Sequence, residues 1–231
     1  MDGGILKASS PDGSADGTSW RLPRGPHSLP REVVADNQRQ RLMAAAARAI
    51  SEHGYAELTV EQVLAEAGIS RTTFYENFAN KRECVLAAHE EAFDRLAAEL
   101  FRACAEEPDW PAKVAAGVRT AIAFAVARPE EAQLLIVDAV AADPTLAARV
   151  LDSNESLVGI LRNGREQSHR AAALPELTER ALIGAAGSVI GSRLLSHQAD
   201  RLPALEPELI QLMVMPYVGA AEGRRLAEGS A

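Results

Sequence analysis

With 231 residues and 47% hydrophobic content, the chain can form one domain or two small ones around a substantial core. Aromatics make up only 4%, alanine and leucine dominate, and β-branched runs are rare, which favours an all-α fold. A net charge of −8 excludes a uniformly basic nucleic-acid binder; the longest apolar run, residues 181–195, is broken by Arg193, and the N-terminus lacks a secretory apolar core.

Residues 1–30 are rich in Gly, Ser, Asp and Pro, show no periodicity, and are expected to form a disordered arm. Arg21, Arg24, His27 and Arg31 make it sparsely basic. Such an arm suits a phosphate or the minor groove, although an idle tail has the same composition. A first helix is predicted from about Val34 to His53, with Leu42, Ala45, Ala46, Ala49 and Ile50 as its buried stripe and Gly54 as its end. Near its start, Gln38, Arg39 and Arg41 are placed where a helix crossing a DNA backbone meets phosphate.

The next stretch, Leu58 to Lys81, predicts two short helices around a glycine turn. Thr59 and Gln62 have capping-box spacing, and Leu58 with Val63 a hydrophobic staple. Gly68 supplies the positive φ that ends the helix. Ser70 caps a second helix from Arg71 to about Asn77, and Asn80 caps a third. Phe74 and Phe78, at i and i+4, turn inward. Arg71, Thr72, Thr73, Tyr75 and Asn77 remain for the other faces, and these side chains suit phosphate oxygens and base edges. A helix-turn-helix puts such a second helix in the major groove; a surface helical hairpin is the plain alternative. Thr59, Ser70 and Lys81 are further candidates for phosphate contact.

Charge distribution bears on this reading. Residues 21–82 carry nine basic and seven acidic side chains, net +2, whereas residues 83–231 carry 14 and 22, net −8. The acidity lies outside the helix-turn-helix.

Gly54-Tyr55, Leu58-Thr59-Val60, Ala67-Gly68-Ile69-Ser70, Thr73-Phe74-Tyr75, Phe78 and Lys81 together resemble the N-terminal signature of the tetracycline-repressor (TetR) family of transcriptional regulators. The resemblance runs ungapped from about Gln40 to Val85; the remainder matches only in length, helical pattern and a Pro216-Tyr217-Val218-Gly219 ending. It implies a homodimer that binds double-stranded operator DNA and releases it when a small-molecule effector enters the C-terminal domain. Asn77 stands where the family often has histidine and Thr72 where it often has glycine, which bears on the operator read rather than on the mode of binding.

Helix 4 is expected from Lys81 to about Ala105, with Val85, Ala88, Ala92, Leu96, Leu100 and Ala103 as its stripe. It carries both Cys84 and Cys104, which keeps them from pairing with each other; a reducing cytoplasm is the simplest setting. The domains are accordingly drawn as 31–82 for DNA binding and 83–231 for ligand binding and dimerisation. Proline and cap signals predict helices over about 111–127, 129–141, 144–169, 175–198 and 207–216, about nine in all, followed by a fraying polar tail from Gly219.

Gly184, Gly187 and Gly191 share a face of the eighth helix with Ser188 beside them. Each glycine costs about 1 kcal/mol against alanine in a helix interior, so close helix approach is the expected compensation. Family layout makes this a dimer interface, completed by Leu209, Leu212 and Met213; packing within one subunit is the alternative. The same layout places an effector pocket among helices 4 to 8. Phe93, Trp110, Phe124, Leu134, Asp138, Leu157, Leu161 and His169 are candidates as large or polar residues on alanine-rich helices, although each also suits ordinary packing.

The chain has no Gly-x-Ser-x-Gly elbow, no phosphate-cradling glycine loop, and no His, Cys or carboxylate spacing typical of a metal site. The expectation is a non-enzymatic, cofactor-free, DNA-binding regulator, acting as a repressor. A helical small-molecule carrier that has lost DNA binding, an activator, and a ligand-free regulator are the competing readings.

Overall fold

The computed structural model describes residues 31–136 and 144–229. Among these are eleven α-helices, two 3₁₀ segments and no strand. No described helix is long and apolar enough to cross a membrane. The expected arm (residues 1–30), the end of the sixth helix and Asp138 lie outside the described residues.

Of the first four helices, α1 (Arg31–Glu57), α2 (Val60–Ala67), α3 (Arg71–Asn77) and α4 (Lys81–Ala105), the last three start where their caps put them, while α1 continues past Gly54 to Glu57. The Thr59 hydroxyl accepts from the Gln62 amide at 3.2 Å while the Gln62 side chain accepts from the Thr59 amide at 2.7 Å. Both halves of the capping box are therefore made. Gly54 (φ 76°) breaks α1 near its end, and Gly68 (φ 62°) closes α2 in the left-handed region. Ser70 and Asn80 cap α3 and α4 by accepting from the amides of Thr73 and Glu83. Leu42, Ala46, Ile50, Leu58, Val63, Phe74, Phe78 and Val85 close into one buried cluster.

Beyond α4 come α5 (Trp110–Ala127), α6 (Pro129–Ile136), α7 (Pro144–Arg162), α8 (His169–Ala172), α9 (Thr178–Leu195), α10 (Glu206–Val218) and α11 (Ala220–Glu228). Asp109 caps α5 by accepting from the Ala112 amide at 2.9 Å. Three further clusters, one around Phe124, Ile190 and Leu209, one around Leu161, Met213 and Tyr217 and a small one of Ala115, Ile210 and Ala227, fill this second body of helices.

Four expectations fail here, one of them the helix expected over about 175–198, which runs only from Thr178 to Leu195. The seventh helix stops at Arg162 rather than near His169, because the chain tightens into a 3₁₀ segment, Asn163–Gln167. Gly164 there packs so closely under the Trp110 indole that any Cβ would collide with it. Arg165 then pins the following turn by donating to the carbonyls of Leu174 and Pro175 at 2.7 and 2.8 Å. The tail after Gly219 does not fray: α11 folds back on α10 with Gly223 and Ala227 buried. Finally, α10 runs through Pro216 to Val218 instead of ending at the proline.

Candidate functional site

On α3 the side chains of Arg71, Thr72 and Tyr75 are exposed, with Ser70 exposed at its start. Tyr75 is 50% accessible, unusual for a large aromatic with no packing duty on that side. The opposite face carries Phe74 and Phe78, fully buried and in tilted contact at 5.9 Å between ring centroids. A seven-residue helix is too short to hold itself in water. Here it is anchored by two phenylalanines and presented outward by its polar residues. Arg71 is joined to Glu61 of α2 by an exposed ion pair, which orients the guanidinium while leaving it open to solvent. Thr73 and Asn77 are half-buried: Thr73 shares a 3.0 Å contact with Ser70 Oγ, and Asn77 donates to the Thr73 carbonyl.

The structure gives two cations expected at DNA an internal task. Arg41 Nη2 donates to the Ala67 carbonyl at 2.5 Å and reaches the Gly68 carbonyl at 3.4 Å, closing the C-terminal end of α2. Lys81 Nζ donates to the Leu58 carbonyl at 2.7 Å and lies 5.0 Å from the Tyr55 ring centroid. Arg39 behaves likewise, donating to the Asn77 carbonyl and stacking 4.3 Å from the Phe78 ring centroid. These three side chains set the geometry of α2 and α3. Thr59 is exposed, but its hydroxyl is engaged in the cap.

In the second body a cavity of about 190 Å³ lies between α4, α5, α6, α7, α9 and α10. Phe93, Leu157 and Leu161 line it, as expected. Phe124 is instead core and stacks with Arg128, Leu134 belongs to the N-terminal cluster, and His169 is exposed. Trp110 packs on Tyr217 at 4.6 Å between centroids and donates to the Ile160 carbonyl. Sequence reasoning missed Leu96, Leu100 and Cys104, which continue the Phe93 face of α4 at steps of three and four residues. That periodicity was visible, but which helix would cover it was not. Lys113, Ser153 and Asn154 are the polar groups on the wall. Burial raises the Cys104 thiol above its ordinary range, so it stays protonated.

Of the expected dimer-face residues, Gly184 and Ser188 are exposed, along with Ala181, Ala185, Val189, Ser192 and Leu195 on the same helix. Gly187 lines the cavity and Gly191 is buried. Leu209 and Met213 point into the cavity wall, and Leu212 is half-buried. The glycine spacing is real, but the helix turns only Gly184 of the three outward.

A capped, aromatic-anchored α2–turn–α3 unit with a polar outer face, on an otherwise helical body, is the fold of a helix-turn-helix DNA-binding transcriptional regulator. Residues 42–88 match the family described as bacterial regulatory proteins, tetR family. The HTH-type transcriptional activator FasR of Mycolicibacterium smegmatis is 23% identical over 163 residues, 68% of this chain and 74% of that protein. The fold is shared with the fatty acid degradation regulator FadR from Bacillus halodurans (TM-score 0.67, 21% identity, 76% of this chain and 97% of that one). It is shared equally with FadR from Bacillus subtilis, solved in complex with stearoyl-CoA (TM-score 0.67, 19% identity, 77% and 98%). Residues 42–88 thus carry the DNA-binding signature of the TetR family, and the described chain shares the fold of solved regulators, among them a TetR-like transcriptional regulator from Rhodococcus sp. RHA1 (TM-score 0.66, 21% identity, 81% of this chain and 97% of that one).

Proposed function

We propose that the protein is a homodimeric repressor that leaves its operator when an elongated, largely apolar small molecule fills the cavity. The observation that carries this reading is the sharing of α4 and α6 between the two bodies. Cys84, Val85 and Ala88 of α4 pack in the N-terminal core, while Phe93, Leu96, Leu100 and Cys104 of the same helix line the cavity. Arg95 reinforces the joint, donating to both oxygens of Glu131 on α6 and to Glu91, which in turn accepts from Gln40 on α1. A ligand that favours one arrangement of α4 and α6 therefore biases the placement of α3 by population shift.

Arg71, Thr72 and Asn77 are the proposed base-reading groups, with Ser70, Thr73 and Tyr75 holding phosphate. Two copies read a pseudo-palindromic site whose half-site centres lie about 10 bp, or a multiple, apart. The bare face of α9 supports pairing of two chains through close helix approach at Gly184 and Ser188. Selection of bound genomic DNA by the purified protein, followed by mobility-shift titration of Arg71→Ala and Tyr75→Ala, tests the reading. Both variants should lose affinity; unchanged binding in both would falsify the assignment of α3.

The activator role of the FasR relative supports one second reading, an activator, because the same face and cavity serve either direction of control. A reporter fused to the selected operator distinguishes them: expression rises on deletion of a repressor and falls on deletion of an activator.

A further inference from the structure

His89 is the residue that neither the helix-turn-helix nor the apolar cavity explains. It sits on α4, is 1% accessible, and neither ring nitrogen has a hydrogen-bonding partner. Buried polar side chains are normally paired, and an orphaned one calls for a missing partner. His89 lines a polar recess with Glu90, Asp94, Arg149, Asp152 and Ser156. Phe93 and Ser153 line both this recess and the apolar cavity, so the two spaces adjoin. From Phe93 to Cys104 the cavity face of α4 extends about 16 Å at 1.5 Å per residue, with His89 one turn beyond its near end.

We propose that His89 is the polar anchor for an effector with an uncharged hydroxyl head and an elongated apolar body. The inference rests on the effector reading above and adds the chemistry of the ligand. Burial and the nearby Arg149 guanidinium push the imidazole down to about 4, so it is neutral near pH 7. A neutral imidazole offers one donor and one acceptor, and a hydroxyl, which both donates and accepts, can pair with either ring nitrogen. The recess disfavours an anionic head. Arg149 is engaged by Glu90 at 2.5 Å, and no cation among the described residues is paired with Asp94 or Asp152. A cationic head, a donor only, can pair with the acceptor nitrogen alone, whereas a hydroxyl can pair with either. The competing arrangement puts a carboxylate against Lys113, level with Cys104 at the far end of the cavity, where the thiol reaches the Lys113 carbonyl.

Isothermal titration of the full-length protein with 1-decanol, decanoate and decylamine near neutral pH tests this. The native protein should bind 1-decanol about tenfold more tightly than either charged analogue. His89→Leu should lose that preference, and His89→Gln, which still donates and accepts, should keep most of it; circular dichroism checks that both fold. Decanoate binding as tightly as decanol, or unchanged decanol affinity in a folded His89→Leu, overturns the assignment of His89 while leaving the cavity as the effector site. No binding of any decyl compound overturns both.

Discussion

Leu134 and Leu135 are neighbours on α6 yet face different interiors. Leu134 is fully buried in the N-terminal cluster with Leu42 and Phe74, while Leu135 lines the cavity of the second body. A short helix thus has one side in each core, and Ser51 of α1 secures it by donating to the Gln133 side chain at 3.1 Å. Movement of α6 is felt on both sides, because packed interiors resist continuous deformation.

The two leucines should separate on truncation. Leu134→Ala removes a fully enclosed side chain and is expected to cost about 2–5 kcal/mol. Leu135→Ala only enlarges an existing cavity and should cost less, about 1–2 kcal/mol, with ligand-free DNA affinity unchanged. Urea denaturation and mobility-shift titration measure both; equal losses would show that α6 does not divide its faces in this way.

His89 predicts a pH effect on stability independent of any ligand. Its folded value, about 4, lies below the ordinary 6.5, so the unfolded chain binds the proton more readily between the two. Stability is full above the unfolded value and declines as pH falls towards 4. Between pH 7 and pH 5 the loss should be about 2 kcal/mol, and His89→Leu should abolish that share of it. Denaturation of both proteins at the two pH values checks this.

Glu179 acts in a separate window. Its carboxylate is fully buried, accepting from Arg165 at 2.7 and 2.8 Å and from the Tyr217 hydroxyl at 3.3 Å. The Arg165 guanidinium holds the carboxyl below its usual value. Stability from this group is therefore present above the unfolded value, about 4.3, and is lost as pH falls through the lower folded one. Glu179→Ala removes the carboxylate partner of Arg165, which keeps its bonds to the Leu174 and Pro175 carbonyls, and should lower the denaturation midpoint at neutral pH.

Lys81 separates two roles by experiment. Held on the Leu58 carbonyl and the Tyr55 ring, it should contribute stability rather than phosphate affinity. Lys81→Met is expected to destabilise by about 1.5–3 kcal/mol, the range for hydrogen bonds from charged groups. The log–log salt slope of DNA binding should change by much less than the roughly 0.9 that a lost phosphate contact produces. A full unit of slope with unaltered stability would return Lys81 to the DNA.

The helix-turn-helix was legible because its signals are local. Thr59, Gln62, Gly68, Ser70 and Asn80 act within four residues of themselves, so a linear reading finds them. The internal bonds of Arg41 and Lys81 were not foreseen because their partners, Ala67 and Leu58, lie more than twenty residues away, and a cation in sequence carries no mark of which carbonyl it will meet. The cavity was half legible: Phe93, Leu157 and Leu161 were found by size, while Trp110 and Phe124 were large for the sake of packing. The end of α9 was missed for another reason. His197 takes the left-handed position (φ 52°) that sequence reading reserves for glycine. His89 offered no pattern at all, since an orphaned imidazole is visible only once its surroundings are folded.

The indole of Trp110 occupies the room a side chain at residue 164 would need. Every amino acid but one brings at least a methyl group there, so this site has no tolerated neighbour in codon space. In a saturation scan it should stand out as intolerant despite touching neither nucleotides nor cavity, and the reason would be sought in vain on the recognition surface.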